Sequence, residues 1–219
     1  MTVFDIKIRS DTVCPWCYIG LRRLNRAITL YKRVYPSGSA DTFRITHMPY
    51  YLNPAFPSPG LPTSALMESR MGPEKTPIAK ARMEQIGMSE GIFFRWGGRT
   101  GNTRDSHRLV ELAKRKGQEV QETVVESLFR ACFEEEMDVS LFETLVMCGR
   151  RAGLEEQEVR EWLESGKGGD VVDREAEEGS AEGRGVPKFY IQGVHMLEGA
   201  EDVGAFLEVF AKIKGDMEY

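Results

Sequence analysis

Two cysteines three residues apart, Cys14 and Cys17, stand where an alternating segment gives way to a helical one. Residues 3–8 put Phe4, Ile6 and Ile8 on one side and Val3, Asp5 and Lys7 on the other, the period-two pattern of a strand. From Pro15 the period lengthens. Tyr18, Leu21, Leu24, Ile28 and Tyr31 recur at spacings of three and four, while Arg22, Arg23, Arg26, Lys32 and Arg33 take the other face or the last turn. That spacing predicts a helix of about five turns. Pro15 suits its first turn, because the N–H that proline lacks would have no partner there. The order is strand, Cys-x-x-Cys, helix.

Residues at i and i+3 of a helix share a face, so the two sulfurs can close a disulfide. Free N–H groups at the helix start favour thiolate over thiol at Cys14, which is expected to stay near solvent as the attacking sulfur. A closed zinc site needs four ligands. Here Cys132 and Cys148 are single, and His47, His107 and His195 are scattered, so no metal site is expected. A disulfide closing so short a loop removes little unfolded-state entropy, which favours a redox pair over a structural one. Cys132 and Cys148 read as small buried hydrophobes.

Residues 42–50 alternate Phe43, Ile45 and His47 against Thr42, Arg44 and Thr46, predicting a second strand. Pro54, Pro57, Pro59 and Pro62 then make residues 53–62 a rigid connector. Residues 63–165 read as helices with short joints and no strand. One ends in Lys114, Arg115, Lys116 and Gly117, and Ser140 to Glu143 reads as a capping box opening another. Residues 91–101, aromatic and glycine-rich, are either a mobile surface connection or a groove wall offering Phe93 and Trp96. An acidic helix over 171–182 stops at Gly183 and Gly185. Strands over 188–192 and 194–197 flank a turn at Gly193, and a last amphipathic helix carries Val203, Phe206, Leu207, Phe210 and Ile213. With 41% hydrophobic residues in 219, the chain can bury a substantial core. The fold class is α/β: residues 1–62 and 166–219 form one core, and 63–165 form an all-helical insertion capping the dithiol face.

The segment Asp11-Thr12-Val13-Cys14-Pro15-Trp16-Cys17-Tyr18-Ile19-Gly20 resembles the active-site segment of DsbA-like thioredoxin-fold oxidoreductases, in particular the FrnE-like subgroup. Further resemblances follow in the family's order: His47 to Pro54 at the second-strand exit, Asn102-Thr103 with His107-Arg108-Leu109 in the helical insert, Glu126 to Phe133, and Gly185-Val186-Pro187 before a strand. The resemblance implies a thioredoxin fold and disulfide exchange through Cys14 and Cys17. It also implies a cis Val186–Pro187 bond packed on the dithiol, where it positions substrate backbone and keeps metals off the thiols. Pro15 and Trp16 lie between the cysteines, and Trp16 either tunes substrate fit and potential or is a helix-end hydrophobe. Asp11 is either a proton carrier near Cys17 or a turn acid. His107 either faces the dithiol or is a structural histidine, and Asn102 opens the same insert motif. The chain departs from the family at Glu198-Gly199-Ala200-Glu201, usually Ser-Gly-Ala-Gln, and at Ser106, usually alanine.

A net charge of −5 and a pI near 5.4 argue against general nucleic-acid binding. No run of 18 apolar residues appears, so no membrane span is expected, and strand pattern from Val3 leaves no room for a leader. The expected location is cytoplasmic, where reductase or isomerase roles outrank net disulfide formation. The partner is a thiol or disulfide substrate, protein or small molecule. No tightly held cofactor is expected, glutathione stays open as a co-substrate, and the oligomeric state is undetermined. Two other classes stay open. One is a glutathione-dependent enzyme of the same fold, resembling kappa-class transferases and 2-hydroxychromene-2-carboxylate isomerases, in which serine replaces the first cysteine. The other is a non-catalytic binding or chaperone-like module.

Overall fold

The computed structural model describes residues 1–216. The expected alternation forms β1 (Val3–Ser10), with Phe4, Ile6 and Ile8 buried, and the helical spacing after it forms α1 (Pro15–Val34). A parallel return strand, β2 (Thr42–Pro49), pairs with β1 in the register Phe4 to Phe43, Ile6 to Ile45 and Ile8 to His47. The chain then passes through β3 (Leu61–Pro62), α2 (Thr63–Met71), α3 (Lys75–Ser89), β4 (Arg99–Thr100), α4 (Arg104–Lys116), α5 (Gln118–Phe133), α6 (Phe142–Arg151), α7 (Glu156–Glu164) and α8 (Gly169–Ala181). It comes back to the sheet as β5 (Lys188–Ile191) and β6 (His195–Glu198), and ends in α9 (Val203–Asp216). The main sheet has the order β2-β1-β5-β6, with β5 antiparallel to both neighbours. This is the DsbA-like thioredoxin fold with its largely helical insertion.

One face of the sheet is sealed by an aromatic cluster. Phe4 stacks on Phe43 at 4.6 Å, and Tyr31 of α1 and Phe210 of α9 meet both rings edge-on. The other face carries Arg9, buried against α8 where Gly179 has no side chain: a Cβ there would stand 2.6 Å from Arg9 Nε. β2 is an edge strand, and exposed edges invite pairing with other chains. Here α5 closes it. Gln121 exchanges two hydrogen bonds with the His47 backbone at 3.2 Å each, and Gln118 Nε2 donates to the Phe43 carbonyl at 3.1 Å.

Two expectations are corrected. Strands are not confined to the chain ends, because Arg99–Thr100 pairs antiparallel with Leu61–Pro62 as a two-residue ribbon. The ribbon forms where Gly60 lets backbones touch: a Cβ on it would lie 2.6 Å from Gly101 N. Ser140 does not cap a helix. Its hydroxyl turns back to Asp138 Oδ1 at 2.6 Å, and α6 starts after Leu141 without a side-chain cap. The aromatic segment at 91–101 divides its residues: Phe94 is buried between Tyr18, Trp96 and Phe133, while Phe93 faces solvent. Residues 217–219, included in the expected core, lie outside the described residues.

Candidate active site

The turn after β1 places the dithiol. Cys14 N–H donates to the Asp11 carbonyl at 3.0 Å, closing a turn that leaves Cys14 as the N-cap of α1 with Pro15 following it. The Cys14 carbonyl then accepts from Cys17 N–H at 3.0 Å and Tyr18 N–H at 3.3 Å, so both cysteines sit in the first turn. Both are free thiols. Cys14 is 4% exposed and Cys17 1%, which corrects the expectation of a solvent-facing first cysteine. The Val186 carbonyl explains part of the cover: it lies 3.8 Å from Cys14 Sγ, within reach of the thiol as a hydrogen-bond acceptor. Trp16, 38% exposed, is the outward-facing side chain between them. Burial, followed by the neighbouring Cys14 sulfur, pushes the Cys17 thiol well above its ordinary range.

The Val186–Pro187 bond is cis. α1 meets it closely at Gly20, where a Cβ would lie 3.1 Å from Pro187 Cγ and 3.0 Å from Phe189 Cζ. The loop is tied from the other side by Gly185 N–H, which donates to the Tyr50 hydroxyl at 3.4 Å. Pro187 therefore stands between the helix that carries the dithiol and the strand that completes the sheet.

Asp11 is 1% exposed. Its Oδ2 accepts from Leu52 N–H at 2.7 Å, while Oδ1 has no hydrogen-bond partner and lies 3.6 Å from His107 Nε2. The same His107 nitrogen is 3.1 Å from the Tyr50 carbonyl. Asp11 also bears directly on Cys17, through its backbone and its charge. The insertion thus reaches the dithiol segment through α4, and a second link sits beside the first. Ser106 donates to the Thr103 carbonyl at 2.8 Å, so its oxygen is left to accept from Thr12 Oγ1 at 2.7 Å. That contact gives the departure from alanine a physical reason.

Asn102 does something different. Its Nδ2 donates to the Pro54 carbonyl at 2.9 Å and its Oδ1 accepts from Arg104 N–H at 2.9 Å, so it ties the proline connector to the start of α4. It lines a cleft with Tyr51 and Asp173, and neither Cys14 nor Cys17 is among the residues lining that cleft. Cys132 and Cys148 are buried, and burial pushes Cys132 well up and Cys148 to about 11. Sequence reasoning missed the Tyr50 and Gly20 contacts with the Pro187 loop and Ser106 as a tie, while His47 is buried on the face of Phe43 and Ile45 as its alternation implied. Gly20 had a signal, since a glycine within an apolar helix face marks a close approach.

A mixed sheet with a dithiol at the mouth of its first helix and a cis-proline loop beside it defines a thioredoxin-fold protein elaborated by a helical insertion. The chain belongs to the DSBA-like thioredoxin domain family, whose model matches residues 5–211. It is similar to the crystal structure of a probable DsbA oxidoreductase, SCO1869, from Streptomyces coelicolor. That match has 26% identity and a TM-score of 0.85, covering 97% of this chain and 90% of that one. The fold is shared with a 2-hydroxychromene-2-carboxylate isomerase at 16% identity and TM-score 0.67, covering 98% of each chain. It is shared also with the cytosolic disulfide reductase DsbM from Pseudomonas aeruginosa with GSH, at 15% identity and TM-score 0.54, covering 98% and 100%. None of the curated proteins compared matches the chain. No helix among the described residues is long and apolar enough to cross a membrane.

Proposed function

We propose that this chain is a thiol–disulfide oxidoreductase of the FrnE-like subgroup working through Cys14 and Cys17. The observation that carries the reading is two free thiols in the first turn of α1, with the Val186 carbonyl 3.8 Å from the outer one. Cys14 thiolate attacks one sulfur of a disulfide and expels the other half as thiolate, leaving a mixed disulfide on Cys14. Cys17 then gives up its proton and attacks Cys14 Sγ. The substrate's second thiolate leaves, and the pair holds the two oxidising equivalents as a disulfide. Burial keeps Cys17 protonated until that step, which suits the resolving role. In this reading Asp11 receives the proton, which is supported by its Oδ1 having no hydrogen-bond partner and lying 3.6 Å from His107 Nε2. Pro187 and Val186 hold the substrate backbone beside Cys14, Pro15 sets the helix start and Trp16 shapes the approach. Asn102 shapes the site at one remove, by holding the connector.

Two small-molecule thiols of the glutathione type would return the pair to its reduced state, with glutathione a co-substrate and not a resident cofactor. A cytoplasmic location and net reduction or isomerisation fit that cycle. The described core of residues 1–62 and 166–216 carries the chemistry, and the helices of 63–165 cover it. The isomerase and transferase reading shares the fold, but serine stands where this chain has Cys14. Trapping decides the roles: Cys17→Ser is expected to accumulate mixed disulfide with substrate and Cys14→Ser none, by mass measurement after acid quench. Equal trapping by both variants would refute the assignment.

A further inference from the structure

We propose that the cleft between α8 and the Tyr51–Pro54 segment is a subsite for a lysine- or arginine-type side chain of an extended substrate, with Glu177 receiving the cationic head. The inference rests on the redox reading and adds a substrate class to it. The cleft encloses about 520 Å³ and is walled by the Tyr51 ring, Pro54 and Ala176. Two of its charges cancel. Arg104 grips both Asp173 oxygens at 2.8 to 3.0 Å, and the Tyr51 hydroxyl donates to Asp173 Oδ1 at 2.9 Å. Glu177 is then the one lining charge without an ion-pair partner among the described residues, and it is exposed at the rim. It lies in the last turns of α8, where the helix carbonyls add partial negative charge.

A trough with apolar surface from Tyr51, Pro54 and Ala176, and with Glu177 as the one lining carboxylate left unpaired among the described residues, beside the Arg104–Asp173 pair, suits a side chain with an aliphatic stem and a cationic end. It does not suit an acidic one. The trough is also fixed to the dithiol's own supports. Tyr50, next to Tyr51, accepts from Gly185 N–H through its hydroxyl and pairs with His107 through its carbonyl. Leu52, on the other side, donates to Asp11, whose carbonyl accepts from Cys14. The proposal lays a substrate strand beside Val186 and Cys14, with a neighbouring side chain reaching the wall that these bonds tie to the dithiol segment.

The test reads binding, separately from turnover. Fluorescently labelled peptides carrying serine for the reacting cysteine, with lysine, norleucine or glutamate at successive flanking positions, are titrated into the Cys14→Ser protein by anisotropy. At one position lysine is expected to bind about three- to five-fold tighter than norleucine, the range of a partly exposed ion pair. The gap should close in Glu177→Gln, reverse in favour of glutamate in Glu177→Lys, and shrink between about 0.05 and 0.5 M salt. Equal binding of lysine and norleucine peptides at every position, no binding by any peptide, or a lysine preference that survives Glu177→Gln would overturn the subsite. Loss of disulfide exchange in the unsubstituted protein would instead overturn the redox reading, and leaves these affinities as a separate result.

Discussion

Cys17 and His47 are both buried, and in each case burial favours the neutral form: the thiol is pushed up and the imidazole down. For Cys17 the neutral form is, under the proposed mechanism, a stored proton to be released when the mixed disulfide resolves. For His47 it is a liability in acid. The ring is 4% exposed and both its nitrogens lack hydrogen-bond partners. Burial, and then the nearby His107, hold it at about 4 against an ordinary 6.5. The unfolded chain therefore binds a proton below pH 6.5 that the folded chain refuses until about pH 4. Stability falls across that window and is unaffected by His47 above it, with a total loss of about 3 kcal/mol. Urea unfolding from pH 7 to pH 4 should show this loss in the native sequence and a smaller one in His47→Leu. Parallel curves for the two would contradict the reading.

At the scale of elements, the site depends on how closely α1 passes the Pro187 loop. Gly20 lies one turn beyond Cys17, and its missing side chain is where Pro187 and Phe189 pack. Alanine there would need its neighbours to give by a few tenths of an ångström. Valine adds two methyls to the same gap. Gly20→Val is expected to cost about 1–3 kcal/mol as an overpacked contact and to slow exchange at Cys14 by moving Pro187. Denaturant midpoints and stopped-flow reduction rates would check it, and unchanged values for both would show that the gap has slack. The same scale explains the edge of the sheet. Gln118 and Gln121, one turn apart on α5, supply to β2 the hydrogen bonds a further strand would have made.

A buried charge pair ties the last helix to the residue before β2 and, through Thr2, to the start of β1. Lys214 of α9 bonds both oxygens of Asp41 at 3.0 and 2.9 Å, and Asp41 also accepts from Thr2 N–H at 2.6 Å and the Tyr31 hydroxyl at 2.9 Å. Burial alone would push the Asp41 carboxyl up, but these donors together bring it below its ordinary value. Its stabilising effect is present above the unfolded carboxylate range and is lost as pH falls through the folded value. Lys214→Met leaves a buried carboxylate facing a methyl group, and is expected to cost about 3–5 kcal/mol. Adding Asp41→Asn should recover part of that loss in a thermal or urea scan. A double variant no more stable than Lys214→Met alone would mean that Asp41 is held by its other donors.

Local pattern carried the strand–helix–strand order of the first half of the core, and the family resemblance supplied its thioredoxin type. The periods of residues 3–8, of the five turns from Pro15 and of residues 42–50 are short-range properties, and they became β1, α1 and β2. The spacing of Cys14 and Cys17 at a helix start likewise fixed their shared turn. What the pattern left open was decided by contacts between residues far apart in the chain. Ser140 looked like a cap, yet Asp138 and the Gly60 backbone, brought together by the β3–β4 ribbon, drew the segment into another turn. Cys14 looked solvent-facing, yet a carbonyl 172 residues away lies against its sulfur. Asp11 was legible beside the dithiol and His107 in the separate insert motif. Their pairing needed α4 to dock on the turn after β1, and docking is a property of packed surfaces that no window of sequence contains.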